Sequence, residues 1–90
     1  MYYLYIAFNQ NNKLHSIGIT TDLKRRLKTL QYNNANEHFK YKIVYYEIYE
    51  DSLKAIEREN KFRKMPFSVI KKLVTENNPL KIDLSNIETN

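Results

Sequence analysis

The chain has no cysteine. That removes disulfide scaffolds, thiolate zinc sites and cysteine nucleophiles together, and makes a reducing compartment the simple expectation. One glycine and two prolines in 90 residues leave few places for long irregular loops, so regular elements should dominate. Long apolar runs are missing as well. The opening segment Met1–Ile6 has no basic flank and its apolar character ends at Asn9, so it reads as a strand rather than a signal peptide. No other stretch approaches the roughly 20 residues of a membrane span. A cytoplasmic protein without membrane partners is therefore expected, and its length suits one small domain.

What is abundant is tyrosine and positive charge. There are eight tyrosines, whose apolar body and polar tip serve both half-buried strands and nucleic-acid surfaces. The net charge is +5, and it is unevenly placed. Residues 1–72 carry fourteen Lys/Arg against seven Asp/Glu, whereas residues 73–90 carry one Lys against three acids. A basic body with a mildly acidic tail is attractive to polyanions, although basic surfaces also serve solubility alone.

The hydrophobic pattern predicts β-β-α-β-α-α. Tyr2 to Phe8 alternates as a strand, with Leu4, Ile6 and Phe8 on one face and Tyr3, Tyr5 and Ala7 on the other. After a polar turn from Asn9 to Asn12, Leu14 to Ile19 pairs back as a hairpin, which puts Tyr5, Ser16 and Gly18 on a shared, less apolar face. Thr20-Thr21-Asp22 starts a helix to about Tyr32, with Leu23, Leu27 and Leu30 as its stripe between Lys24, Arg25, Arg26 and Lys28. A polar loop from Asn33 to His38 leads to a strand at Tyr41–Tyr49.

Asp51-Ser52 caps a second helix reaching Lys64, with Ala55, Ile56, Glu59 and Phe62 inward and Glu57, Arg58 and Lys61 outward. Glu59 on an inward stripe demands a cation, a metal or several donors. Pro66 suits the first position of a third helix carrying Val69, Ile70, Leu73 and Val74. The expected fold is thus α/β (α+β): a small three-stranded antiparallel or mixed sheet flanked by three helices. One domain should cover residues 1–85, with a frayed tail at 86–90.

Five segments in this order resemble the GIY-YIG nuclease superfamily, in particular its small single-domain bacterial members. Tyr3-Leu4-Tyr5 stands at the first motif and Ser16-Ile17-Gly18 at the second. The latter continues as Ile19-Thr20-Thr21-Asp22-Leu23-Lys24-Arg25-Arg26, the most specific piece. Tyr45-Tyr46-Glu47 followed by Ala55, Arg58-Glu59 and Phe62-Arg63 resembles the metal-binding helix. Asn78-Pro79 with Asp83-Leu84-Ser85 resembles the family's ending. The resemblance covers residues 2–85.

It implies divalent-metal-dependent hydrolysis of a DNA phosphodiester by an endonuclease, on structured or damaged DNA and in a setting such as DNA repair. Tyr5 would be the first-motif tyrosine, Arg26 the phosphate-binding arginine, and Glu59 the ligand of a single Mg²⁺ or Mn²⁺. Asn78 would be a late polar contributor, and Lys24, Arg25 and Lys28 would contact nucleic acid. Each has a plainer reading: Tyr5 a half-buried strand tyrosine, Arg26 part of a solvated face, Glu59 the partner of Arg26 in an ion pair, Asn78 the start of a turn. His15 and His38 match no family position and receive no role.

Two positions depart from the family. Ser16 replaces the second-motif tyrosine, and Leu30 stands where His or Tyr is usual, fitting the buried stripe instead. A general base contributes about two to four orders of magnitude. The alternatives are therefore a catalytically weakened nucleic-acid-binding module or a protein-interaction domain on the same scaffold. A monomer is the default expectation.

Overall fold

A computed structural model describes residues 1–9, 15–33 and 40–86. Its elements are β1 (Tyr2–Asn9), β2 (His15–Thr20), α1 (Leu23–Asn33), β3 (Tyr41–Tyr49), α2 (Ser52–Arg63) and α3 (Phe67–Asn77). The expected order holds throughout. The polar turn after Asn9 and the loop towards His38 fall on residues 10–14 and 34–39, outside the described residues, as do residues 87–90 of the expected tail.

The three strands form one sheet in the order β2-β1-β3, antiparallel at both pairings. β1 is central and its side chains are buried on both faces. Leu4, Ile6 and Phe8 join Ile17, Val44, Phe62 of α2, and Ile70 and Val74 of α3. Tyr5 and Ala7 join Ile43 with Leu23 and Leu27 of α1. The sheet is therefore sandwiched, α1 on one face and α2 with α3 on the other. Alternation alone separates these two sets, because successive residues of a strand point to opposite faces.

β3 contains an irregularity that matters later. Ile6 faces Tyr45 while Ala7 faces Ile43, so Val44 is the extra residue of a bulge. Val44 and Tyr45 consequently both meet the α2/α3 core. The open edge of β3 at this point is covered by the chain that follows α3. Leu84 N–H donates to the Ile43 carbonyl at 2.8 Å, Asp83 Oδ1 accepts from Ile43 N–H at 3.0 Å, and Asn78 Nδ2 donates to the Val44 carbonyl at 3.1 Å. An edge strand left with unpaired groups invites association, and this strap occupies them.

Two details depart from expectation on α3. Pro66 lies at the N-cap with ψ 151° rather than inside the first turn, and its carbonyl accepts from Val69 and Ile70. Val69 is exposed, since Ile70 and Val74 alone form the fully buried ridge of that helix.

Candidate nucleic-acid and active site

Tyr5 and Gly18 are direct cross-strand partners on the α1 face. The phenol lies across the glycine: a Cβ placed on Gly18 would stand 2.7 Å from Tyr5 Oη and 3.0 Å from Cε2 and Cζ. The chain's single glycine thus makes room for a ring, not for a turn. Tyr5 is only 3% exposed, so it belongs to the α1-side core as well as to the site. The Arg26 guanidinium carbon sits 6.0 Å from its ring centroid, at the outer limit of a cation–π contact.

Arg26 is delivered by a well-fixed corner. Thr20 Oγ1 donates to the Asp22 carbonyl and accepts from Asp22 N–H, both at 3.1 Å. Asp22 Oδ1 then caps the helix by accepting from Arg25 N–H at 3.0 Å. Arg25, Arg26 and Thr29 line an open groove of about 490 Å³ together with Tyr2, Ile19, Thr20, Thr21 and Asp22. The helix end is already met by the Asp22 carboxylate, so it is the two guanidiniums that suit an anion here. Lys24 and Lys28 are exposed on α1 but do not line this groove.

Glu59 comes from the other face of the sheet. Its side chain is 20% exposed, and Oε2 is 3.2 Å from Arg63 Nη2. The same Nη2 donates to the Ile17 carbonyl at 2.7 Å, which ties α2 to the edge strand β2. The inward carboxylate therefore has the cation it required, but that cation is Arg63 and not Arg26. Arg63 also borders a second open cleft of about 320 Å³, with His15, Ser16 and Ile17. There the His15 ring lies flat on Phe67, centroids 4.9 Å apart, and partial burial lowers its pKa below the usual 6.5.

Two expectations for α2 are corrected. Ile56 is 44% exposed, and Arg58 is half-buried rather than outward. The buried ridge runs through Ala55, Arg58, Glu59 and Phe62, the i, i+3, i+4, i+7 spacing, and Ile56 falls off its side. Arg58 is drawn in by Glu47 of β3. Its Nε donates to Oε1 at 3.0 Å and its Nη2 to Oε2 at 3.2 Å, while its guanidinium lies 4.6 Å from the Phe62 ring centroid.

The Tyr45 and Tyr49 hydroxyls complete the set on Glu47, at 2.5 and 2.6 Å. Burial raises the Glu47 carboxyl, but the bonds from Arg58, Tyr45 and Tyr49 outweigh it and hold the pKa below 4.5. Burial and the bond to Glu47 push the Tyr45 phenol up to about 12. This network was missed by sequence reasoning. Its signal was the period-two spacing Tyr45, Glu47, Tyr49, which puts all three on one face.

The remaining candidates are dispersed. Tyr3 packs edge-on against Tyr46 at 5.9 Å. Leu30 packs against the α1-side core. Asn78 is buried, donating to the Val44 and Ile82 carbonyls and accepting from Ile82 N–H, so its side chain is spent on the strap. The structure brings together Tyr5, Gly18 and Arg26, and holds Glu59 at β2 through Arg63. Among the described residues no group of three or more His, Cys, Asp or Glu could hold a metal ion, and no helix is long and apolar enough to cross a membrane.

The family described as "GIY-YIG catalytic domain" matches residues 1–65. Neither a curated protein nor a solved structure matches the chain.

Proposed function

The chain belongs to the GIY-YIG family, whose domains are generally nucleases, and on that premise we propose that it is a divalent-metal-dependent DNA endonuclease. The observation that carries the reading is the seating of the Tyr5 phenol over Gly18 with Arg26 beside it. Arg26 lines the basic groove and lies beside the buried Tyr5 ring, so a fixed phenol stands behind the arginine that would meet a phosphodiester.

The residues fit a single hard cation. Oε1 of Glu59 accepts no hydrogen bond among the described residues, and Oε2 meets one guanidinium. Hydrated Mg²⁺ takes as few as one or two protein carboxylates. Glu59 would hold it, and bound there it would supply stabilisation of charge on phosphoryl and leaving oxygens.

The chain's own groups do the rest. Arg25 and Arg26 draw the phosphate into the groove. Arg26 offers fixed positive charge to the phosphorane, a contribution worth about 10²–10³-fold in rate for one such donor. Tyr5 is buried and its ring is locked by Gly18 and the α1 core, so the phenol beside Arg26 is already fixed before charge develops.

The test is cleavage of plasmid and branched DNA in Mg²⁺ or Mn²⁺. Wild type should nick the substrate while Glu59→Ala and Arg26→Ala do not. Equal background from wild type and Glu59→Ala would sink the enzymatic reading.

Two positions favour a second reading, a catalytically weakened nucleic-acid-binding module. Leu30 occupies the α1-side core where relatives offer a polar group, and Ser16 is too short to reach where a phenol would. Binding would then survive Glu59→Ala and fall with Arg25→Ala.

A further inference from the structure

The groove at Arg25 and Arg26 is not the only guanidinium-lined hollow beside β2. It lies where β2 ends, at Thr20, and the cleft bordered by Arg63 lies where β2 begins, at His15 to Ile17. We propose that this second cleft is a further phosphate subsite, taking a backbone phosphate of the same DNA strand whose scissile phosphate is held at Arg26. The inference rests on the nucleic-acid reading above and extends it to substrate positioning.

Four features support it. Arg63 spends Nη2 on Ile17 and Glu59, and among the described residues its Nη1 and Nε have no partner. Its side chain is 56% exposed, so these donors are open to solvent. Ser16 adds a hydroxyl and His15 an imidazole held in place by Phe67. The volume of about 320 Å³ is roughly ten times the ~30 Å³ that one water occupies in the liquid, ample for a phosphate group.

Spacing decides that one strand can reach both. Ile17 and Thr20 are three residues apart on β2, about 10 Å at the strand rise. Successive phosphates lie further apart than the axial rise of about 3.4 Å per nucleotide, because the strand winds about the axis, so the two sites fall within about three nucleotides of each other. The Glu59 carboxylate opposes an anion at the rim of the cleft, and its charge is offset by the same Arg63. This placement also gives Ser16 a function that a bulky phenol would obstruct.

The test measures binding without cleavage. A short fluorescent oligothymidylate is titrated with the full chain in EDTA across a series of KCl concentrations. For Arg63→Gln the slope of log K against log [KCl] should become shallower by about 0.7, the value for one phosphate contact on a single strand. Lys81→Gln removes a charge from the strap at the opposite edge of the sheet and should leave the slope unchanged. Glu59→Gln should bind more tightly.

Arg63 also tethers α2, so a conservative variant separates charge from structure. Arg63→Lys should keep the wild-type slope, and if it instead falls as Arg63→Gln does, the proposal is wrong. Ser16→Asp places a negative charge in the cleft without touching the tether, and unchanged affinity would equally overturn the proposal. Wild-type binding with an unaltered slope in Arg63→Gln defeats the subsite alone. No binding by the wild type at low salt defeats it together with the nucleic-acid reading.

Discussion

Arg58 grips both carboxylate oxygens of Glu47, at 3.0 and 3.2 Å, and thereby fastens α2 to β3. The pair is neither a free surface ion pair nor a dry one, with side chains 35% and 18% exposed. Two tyrosine hydroxyls share the same carboxylate. Its loss should therefore cost more than the ~1 kcal/mol ceiling typical of exposed pairs. The range of about 1.5–3 kcal/mol known for hydrogen bonds to charged groups is expected.

Urea melts of Glu47→Gln and Arg58→Ala should show that loss. The acid limb should report it too. The folded pKa of Glu47 is depressed below 4.5, so its stabilisation is complete above that value and disappears as pH falls through the folded pKa. Glu47→Gln should flatten the stability profile of the protein below about pH 4.5. An unchanged acid limb would show that the network contributes nothing.

The same network makes an alkaline prediction. Tyr45 titrates at about 12 rather than 10.0 because it is buried and bonded to Glu47, and the Tyr49 pKa is raised by the same causes. For an acid whose folded pKa is raised, the neutral form is the one favoured by folding. That stabilisation is complete below 10.0 and is lost as pH rises through about 12. Ultraviolet phenolate titration should show a late component that disappears in Tyr45→Phe. If Tyr45→Phe leaves the curve's upper end intact, the assignment is wrong.

Most of the fold was legible because its signals are local. Alternating aromatic and branched residues marked the strands, and Asp22 and Asp51 marked helix starts by capping that the structure bears out. What stayed hidden depends on partners distant in sequence. Arg58 looks like a solvated helix residue until Glu47 is across from it, whereas Glu59 and Arg63 are an i,i+4 pair on one helix, and only the bond from Arg63 to Ile17 needed β2 alongside. The bulge at Val44 has no residue signature, since neither glycine nor proline marks it. Within the candidate site, strand parity put Tyr5 and Gly18 on a shared face, whereas their direct pairing needed the register and the buried state of Tyr5 needed α1 on top of it.

Gly18→Ala tests the close seating of the phenol. A methyl group would stand 2.7 Å from Tyr5 Oη, and the ring has little room to retreat because α1 packs on it. Overpacking of this kind costs about 1–3 kcal/mol. The cost should shrink in a Tyr5→Leu background, where the obstructing ring is gone, and a double-mutant cycle measures that coupling. Independent, additive effects would show that the ring is not held by the glycine. In the wild-type background, displacement of the phenol should also lower DNA cleavage more than DNA binding.

Asn78 is the last position with a definite expectation. Its amide donates to Val44 and Ile82 and accepts from Ile82 N–H, all within a buried setting. Asn78→Ala would leave the Val44 carbonyl at the bulge without this donor and release the turn that leads to Asp83. Losing a buried polar partner costs about 1–3 kcal/mol, and the strap should detach before the domain unfolds. Hydrogen exchange should then accelerate at Ile43, whose N–H is held by Asp83, while Tyr5 and Gly18 keep their protection. Uniform acceleration across β1, β2 and β3 would instead make the strap part of the global unfolding unit. Because the strap lies on β3 and the arginine-lined clefts flank β2 at the opposite edge, Asn78→Ala should leave the salt dependence of DNA binding unchanged.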